Sequence, residues 1–369
     1  MQDVLRQTIS DLVAIPSPSG QEEGVADYVC AHLRKSGLSP ERDGHANVWV
    51  GVGPESARGL LHVNGHMDTV VPVDGWETDP LKATLKGDLL HGLGTTDCKG
   101  GLSAMLWLAP RVKPRVRVIF SFTVCEEGIG NSKPNGSRSL AEKGGDWAIT
   151  AEPSCRPDGP CISIGTQGHA RAVVKFTGKA AHSSRPDLGE NAVLAAARFC
   201  TELEKLNGAF PEQQLYGGVL ARATVAPTKI SGGKLSNIIP DACEVLVSRR
   251  LAPGETRETF EEELQRLLAG VKAGYELFGD GPCAMVDTSG PLFAAARQAI
   301  IEVCGRERVS FQRGRTDAVI YAGSGMDTVT IGPGQIGQSH TANEHVNLPV
   351  AAQCVRVLEK VINGLPEKK

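Results

Sequence analysis

Val116-Arg117-Val118-Ile119-Phe120-Ser121-Phe122-Thr123-Val124-Cys125-Glu126-Glu127 is the stretch that decides the fold. Its β-branched and aromatic side chains predict a strand over 115–125, closed by two adjacent carboxylates. The same form recurs on either side. Leu60-Leu61-His62-Val63-Asn64-Gly65 runs into His66-Met67-Asp68, and a strand over 146–151 runs into Glu152. A helix starting near Gly101, with Leu102, Met105, Leu106 and Leu108 apolar, separates the first two. This β-α-β alternation predicts an α/β fold: a mostly parallel sheet sandwiched by helices.

Upstream, helices are expected over 2–14 and 21–36, split by the breaker cluster Pro16-Ser17-Pro18-Ser19-Gly20, with Ser19 or Gly20 capping the second. A further strand is expected over 47–52. The middle of the chain differs. Alternating strands at 170–177, 222–230 and 242–251 are interleaved with helices over 190–207 and 255–274, the pattern of a small antiparallel α+β unit. The α/β pattern resumes with helix 290–304, strand 326–331 and helix 350–363. The expected organisation is a catalytic domain of residues 1–165 and 281–369, interrupted by an inserted α+β domain over 166–280.

The chain has 369 residues, 41% of them hydrophobic, enough for two domains with full cores. A net charge of −3 without long basic runs argues against nucleic-acid and membrane partners. The first residues lack an apolar signal core, and no run approaches the roughly 18 apolar residues of a membrane span. Ten cysteines are scattered without a Cys-x-x-Cys pair. A cytoplasmic protein with reduced thiols is expected.

In open α/β sheets, ligands gather where strands end, and that is where His66, Glu126, Glu127 and Glu152 fall. Imidazole nitrogen and carboxylate oxygen suit zinc, and a catalytic site keeps one position open for water. Asp97, in the glycine-rich Gly92-Leu93-Gly94-Thr95-Thr96-Asp97-Cys98-Lys99-Gly100, is a candidate bridge between two ions. Asp68, two residues beyond His66, is placed to accept the second imidazole N–H. Of Glu126 and Glu127, one can bind metal while the other serves as general base. Singly, each has a plainer reading: a surface pair, a solvated pair, a helix cap. Their joint placement at strand ends and in a glycine-rich loop favours a metal centre. His32, His45, His62, His91 and His345 have no such setting and are expected to be structural.

These motifs resemble the M20 metallopeptidase family, in the manner of its acetylornithine, acetyl-lysine and succinyl-diaminopimelate deacylases. The resemblance rests on Gly65–Pro72, Gly92–Gly101, Glu126-Glu127-Gly128, Ala151–Ser154 and Gly332–Glu344 and runs nearly end to end. It implies that His66, Asp97 and Glu152 bind one divalent ion and Asp97, Glu127 and His340 a second. It further implies that Asp97 bridges, that Glu126 is the general base and that Asp68 orients His66. Zinc is the expected ion, with cobalt or manganese as alternatives. A cis Asp97-Cys98 peptide is also implied. In the middle region, Gly178-Lys179-Ala180-Ala181-His182-Ser183-Ser184 resembles the family's lid and dimerisation motif. His182 is thereby implied to polarise the scissile carbonyl in the partner subunit of a homodimer. Asn237 and Arg250 are candidate substrate contacts, Arg250 as a clamp on an α-carboxylate; Ser248 stands where relatives carry aspartate, and Arg249 is expected at the surface. Gly314-Arg315-Thr316-Asp317-Ala318 resembles a further segment near the site.

The activity so implied is metal-dependent hydrolysis of N-acyl amino acids, a metal-bridged water attacking the amide carbonyl with Glu126 as base. Dipeptidase or carboxypeptidase activity of the same family is the alternative. A thiol role for Cys98 or Cys125 is weaker, because Cys98 has no base of its own and both suit a packed thiol.

Overall fold

A computed structural model describes residues 1–128 and 134–368. It contains two compact units, Met1–Thr166 with Met285–Gln312 and Thr316–Lys369, and Gln167–Ala284 with Arg313–Arg315.

The first unit is built on a twisted central sheet whose strands run, in spatial order, Glu41–Arg42, Val48–Val52, Arg117–Thr123, Leu60–His66, Trp147–Thr150, Asp327–Thr330 and Ile162–Thr166. The four strands in the middle of that order are mutually parallel, His66 lying opposite Thr123 and Asn64 opposite Thr150. Their carboxyl ends therefore share one edge. Leu61, Val63, Val118, Phe120, Phe122, Ala148 and Ile149 are all buried, as expected for strands covered on both faces. Helix Lys99–Leu108 is buried along nearly its whole length. Gly101 permits this, since a Cβ there would collide with the Ala151 carbonyl. The second helix, Glu23–Lys35, begins one turn later than the Ser19 or Gly20 cap expected from sequence. Its N-cap is Glu22, and the Ser19 hydroxyl is instead turned to Asp68 at 2.6 Å.

The second unit is an antiparallel sheet ordered Thr224–Gly232, Ala242–Leu251, Gly168–Thr177, Ala273–Gly281. Helices Ala192–Ala209 and Arg257–Leu267 cover one face, burying Ala170, Ala172, Val174, Phe176, Val245 and Val247 against Phe199, Leu203, Phe260 and Leu264. Asn191 caps the first helix through its side chain, accepting from Val193 and Leu194, a cap worth about 1 kcal/mol. The helix expected over 255–274 stops at Leu267, because Gly270 takes a left-handed conformation, and the chain re-enters the sheet as the strand Ala273–Gly281.

Candidate metal centre

The residues singled out in the first unit converge at the carboxyl edge of the parallel strands. His66 ends its own strand, Glu126 and Glu127 follow Arg117–Thr123, and Glu152 follows Trp147–Thr150. Asp97 sits just before the buried helix, and its peptide bond to Cys98 is cis. Asp97 Oδ1 lies 2.9 Å from His66 Nε2, while Oδ2 lies 3.8 Å from His340 Nε2. One carboxylate thus presents an oxygen to each of two imidazoles. His340 also reaches Glu127 Oε1 at 2.7 Å. Among the described residues, two sets bring ligand atoms within 4.8 Å of one another: His66 with Glu126 and Glu127, and Asp97 with Glu127 and His340. The second is the set implied by the resemblance. The first departs from the implied His66, Asp97 and Glu152, with Glu126 and Glu127 in place of Asp97 and Glu152. Glu152 is buried, with its charge felt by Glu126 and with His66 and Asp97 acting on it in turn.

Asp68 contacts His66 through a different atom from the one expected. The His66 Nδ1–H donates to the Asp68 backbone carbonyl at 2.9 Å, and the carboxylate oxygen stands farther off at 3.5 Å. Because the chain turns after His66, the Asp68 side chain swings toward the acidic pair. It accepts the backbone N–H groups of Glu126 at 3.0 Å and Glu127 at 2.9 Å. Asp68 therefore fixes both the tautomer of His66 and the turn that brings two neighbouring glutamates to one place.

Electrostatics single out the same residues. Burial, reinforced by Glu152, Asp317 and Glu127, holds the Glu126 carboxyl well above the ordinary range. Burial does the same to Glu152 and raises Glu127. Burial would also raise Asp97, but hydrogen bonding and charge from His66, with the charge of His340, outweigh it and lower the group. His340 is raised through its hydrogen bond with Glu127. Carboxyl groups raised by burial and by one another's charge, interleaved with two imidazoles, form a donor set that divalent cations relieve. Nitrogen and oxygen ligands without thiolate fit zinc, cobalt or manganese.

Three supporting groups were not assigned roles from sequence. Glu344 is buried and accepts backbone N–H groups of Gly94, Thr96 and Asp97 at 3.0, 2.8 and 3.0 Å, so it anchors the Asp97 loop. Burial lifts its carboxyl to about 7. Asp317, also buried, takes Asn135 Nδ2 at 2.7 Å and the Ser137 hydroxyl, while its backbone N–H reaches Glu152 Oε1 at 3.3 Å. Glu22 Oε1 accepts the N–H of Cys125, just before the acidic pair. Both Glu344 and Asp317 lie inside motifs quoted above, and acidic residues within glycine-rich segments were the available hint. Cys98 and Cys125 are buried, as packed thiols are.

His182, Asn237, Arg249 and Arg250 belong to the second unit. His182 is exposed on a short strand, and its Nδ1 lies 2.8 Å from the Ser184 Oγ and accepts the Ser184 backbone N–H at 3.2 Å. Asn237 is exposed, and its backbone carbonyl accepts the backbone N–H of Ser183 at 2.9 Å. Arg249 is not at the surface. It is fully buried, bonded to Glu263 at 2.8 and 3.0 Å and Glu255 at 3.0 Å, and stacked on Phe210. Strand alternation gives the reason: Arg249 shares the helix-covered face with Val245 and Val247, and Arg250 takes the other.

Among known proteins, the family described as Peptidase family M20/M25/M40 matches residues 62–364. A Mycobacterium tuberculosis protein provisionally named succinyl-diaminopimelate desuccinylase DapE is 31% identical over 361 residues, 96% of each chain. Acetylornithine deacetylase of Myxococcus xanthus is 29% identical over 97% of this chain and 96% of its own. A Bacillus subtilis structure described as a dinuclear metal binding peptidase from the M20 family superposes with a TM-score of 0.74. Its identity is 16%, over 98% and 97% of the two chains, so this likeness concerns the fold.

Proposed function

The chain belongs to peptidase family M20/M25/M40 and is a hydrolase of that family, and from that premise we propose that it cleaves the amide bond of N-acyl amino acids. In this reading His66, Asp97 and Glu152 hold one divalent ion, and Asp97, Glu127 and His340 the other, with zinc the expected metal. When bound, the pair supplies Lewis acidity and brings the pKa of a water toward neutrality. Glu126 takes the proton from that water and returns it to the departing amine, a role suited to a carboxyl already held above its ordinary range. The observation that carries the proposal is the placement of the two Asp97 oxygens toward His66 and His340.

The second unit supplies the substrate contacts. With Nδ1 occupied by Ser184, His182 offers an Nε2–H to the carbonyl oxygen as charge develops there. Its assignment to a partner's centre makes the protein a homodimer through the inserted region, here taken as 166–280. Arg250 and Asn237 contact the amino-acid portion. No helix among the described residues is long and apolar enough to cross a membrane. On the reading of the scattered cysteines as reduced thiols, we place the enzyme in the cytoplasm.

The family's description as peptidases supports a second reading, dipeptide or carboxypeptidase cleavage by the same centre. Turnover of N-acetyl and N-succinyl amino acids and of dipeptides by zinc-loaded protein separates the two. Cleavage of the acylated amino acids above the dipeptides is expected. Failure to cleave any amide at full metal occupancy sinks both.

A further inference from the structure

The sheet of the second unit has a face that its helices do not cover, and it concentrates positive charge. Ser248 and Arg250 point to that face from Ala242–Leu251, and the register sets them directly opposite Arg171 and His169. Opposed residues of an antiparallel pair share a face, so the four form one patch. His169 Nε2 meets Ser248 Oγ at 3.0 Å. The Arg171 guanidinium lies over the ring of Phe278, its opposite number on the other neighbouring strand, 5.4 Å from the centroid. Arg250 is partly buried, and besides that burial the charges of Arg171 and Arg315 lower its pKa, so three guanidinium groups lie within electrostatic reach.

Nothing among the described residues balances the first two. Arg171 and Arg250 form no ion pair with a carboxylate there, and Glu276, on the same face, is taken by Lys175 at 2.7 Å. Arg171 Nε and Arg250 Nη1 are shielded from water without a hydrogen-bond partner. Arg249, on the opposite face of the same strand, is matched by two glutamates. Mutually repelling cations with desolvated, unused donors do not serve packing; they complement an anion of more than one charge.

We propose that this face is a subsite for a small molecule carrying two carboxylates, with Arg250 taking one and Arg171, supported by Arg315, selecting for the second. The substrate class is then an N-acyl amino acid whose acyl group or side chain ends in a second carboxylate. This rests on the reading that Arg250 binds substrate. The test compares N-acetylglutamate with N-acetylglutamine, equal in shape and different in charge, on metal-loaded wild type, Arg171→Gln and Arg171→Lys.

Wild type should favour the glutamate derivative. R171Q should raise its KM by about 10-fold or more while leaving kcat and the glutamine KM in place, with R171K recovering part of the loss. Equal effects on both substrates, or none on either, overturn the proposal. Calorimetric binding of glutarate against butyrate reads the same face without turnover. Tighter glutarate binding that is lost in R171Q supports the subsite even if no amide is cleaved, in which case only the hydrolase reading fails. Amide cleavage with no glutarate preference overturns the subsite and leaves the hydrolase reading intact.

Discussion

Two pairs of like-charged neighbours, Glu126-Glu127 in the first unit and Arg249-Arg250 in the second, meet opposite fates. The arginines lie within a strand, where successive side chains leave by opposite faces. Arg249 goes into the core and is neutralised by Glu255 and Glu263; Arg250 goes to the open face. The glutamates lie just beyond a strand, where the backbone turns and Asp68 ties down both of their N–H groups. Both therefore remain in one crowded acidic locus, with burial and neighbouring carboxylates raising them. Alternation separates charge and lets one member become structural. A turn concentrates charge, and the concentration calls for an outside cation.

Replacing one member of each pair tests this contrast. Glu126→Gln should lower kcat by about 10³-fold, the scale of a lost general base, while metal content measured by elemental analysis stays the same. Near-normal turnover in that variant would falsify the assignment. Arg249→Met should cost about 3–5 kcal/mol in urea unfolding, since Glu263 is left buried without its cation. Its specific activity, measured on the folded fraction, should be little changed. Asp68→Asn probes the device that gathers the glutamates. It should reduce metal affinity or kcat/KM by about 10- to 100-fold, and unchanged values of both would show that the turn holds without the carboxylate.

The smallest expected effect is on pH dependence. Glu127 raises the pKa of His340, so a proton competes for the imidazole to higher pH than usual. That proton must leave before metal binds, so affinity should tighten as pH rises from about 6 to about 8. Affinity that is flat or weaker at the higher pH argues against His340 as a ligand.

Much of this was legible in the sequence because strand ends are local features. The run 60–66 reads as a strand from its own composition, and His66 closes it. The acidic pair is legible for the same reason. The Arg249 position was legible too, had the two-residue period been carried through Cys243, Val245 and Val247. Other features depend on contacts between distant segments. Glu344 has meaning only once Gly94, Thr96 and Asp97 are folded against it, and Asp317 only beside Asn135, Ser137 and Glu152. The helix expected over 255–274 ran too long because its charged residues favour helix up to Gly270, and the return strand becomes evident only through its pairing with Gly168–Thr177.

The Glu344 anchor sets an order of events during synthesis. The loop bearing Asp97 is translated long before the carboxylate that holds its backbone, and His340 comes just ahead of that carboxylate. A nascent chain that has emerged as far as Glu152 carries most of the acidic side chains and lacks the latch for their loop. The backbone of the Asp97 loop is thereby anchored only in the last stage of translation, and a chain truncated before Glu344 lacks that anchor.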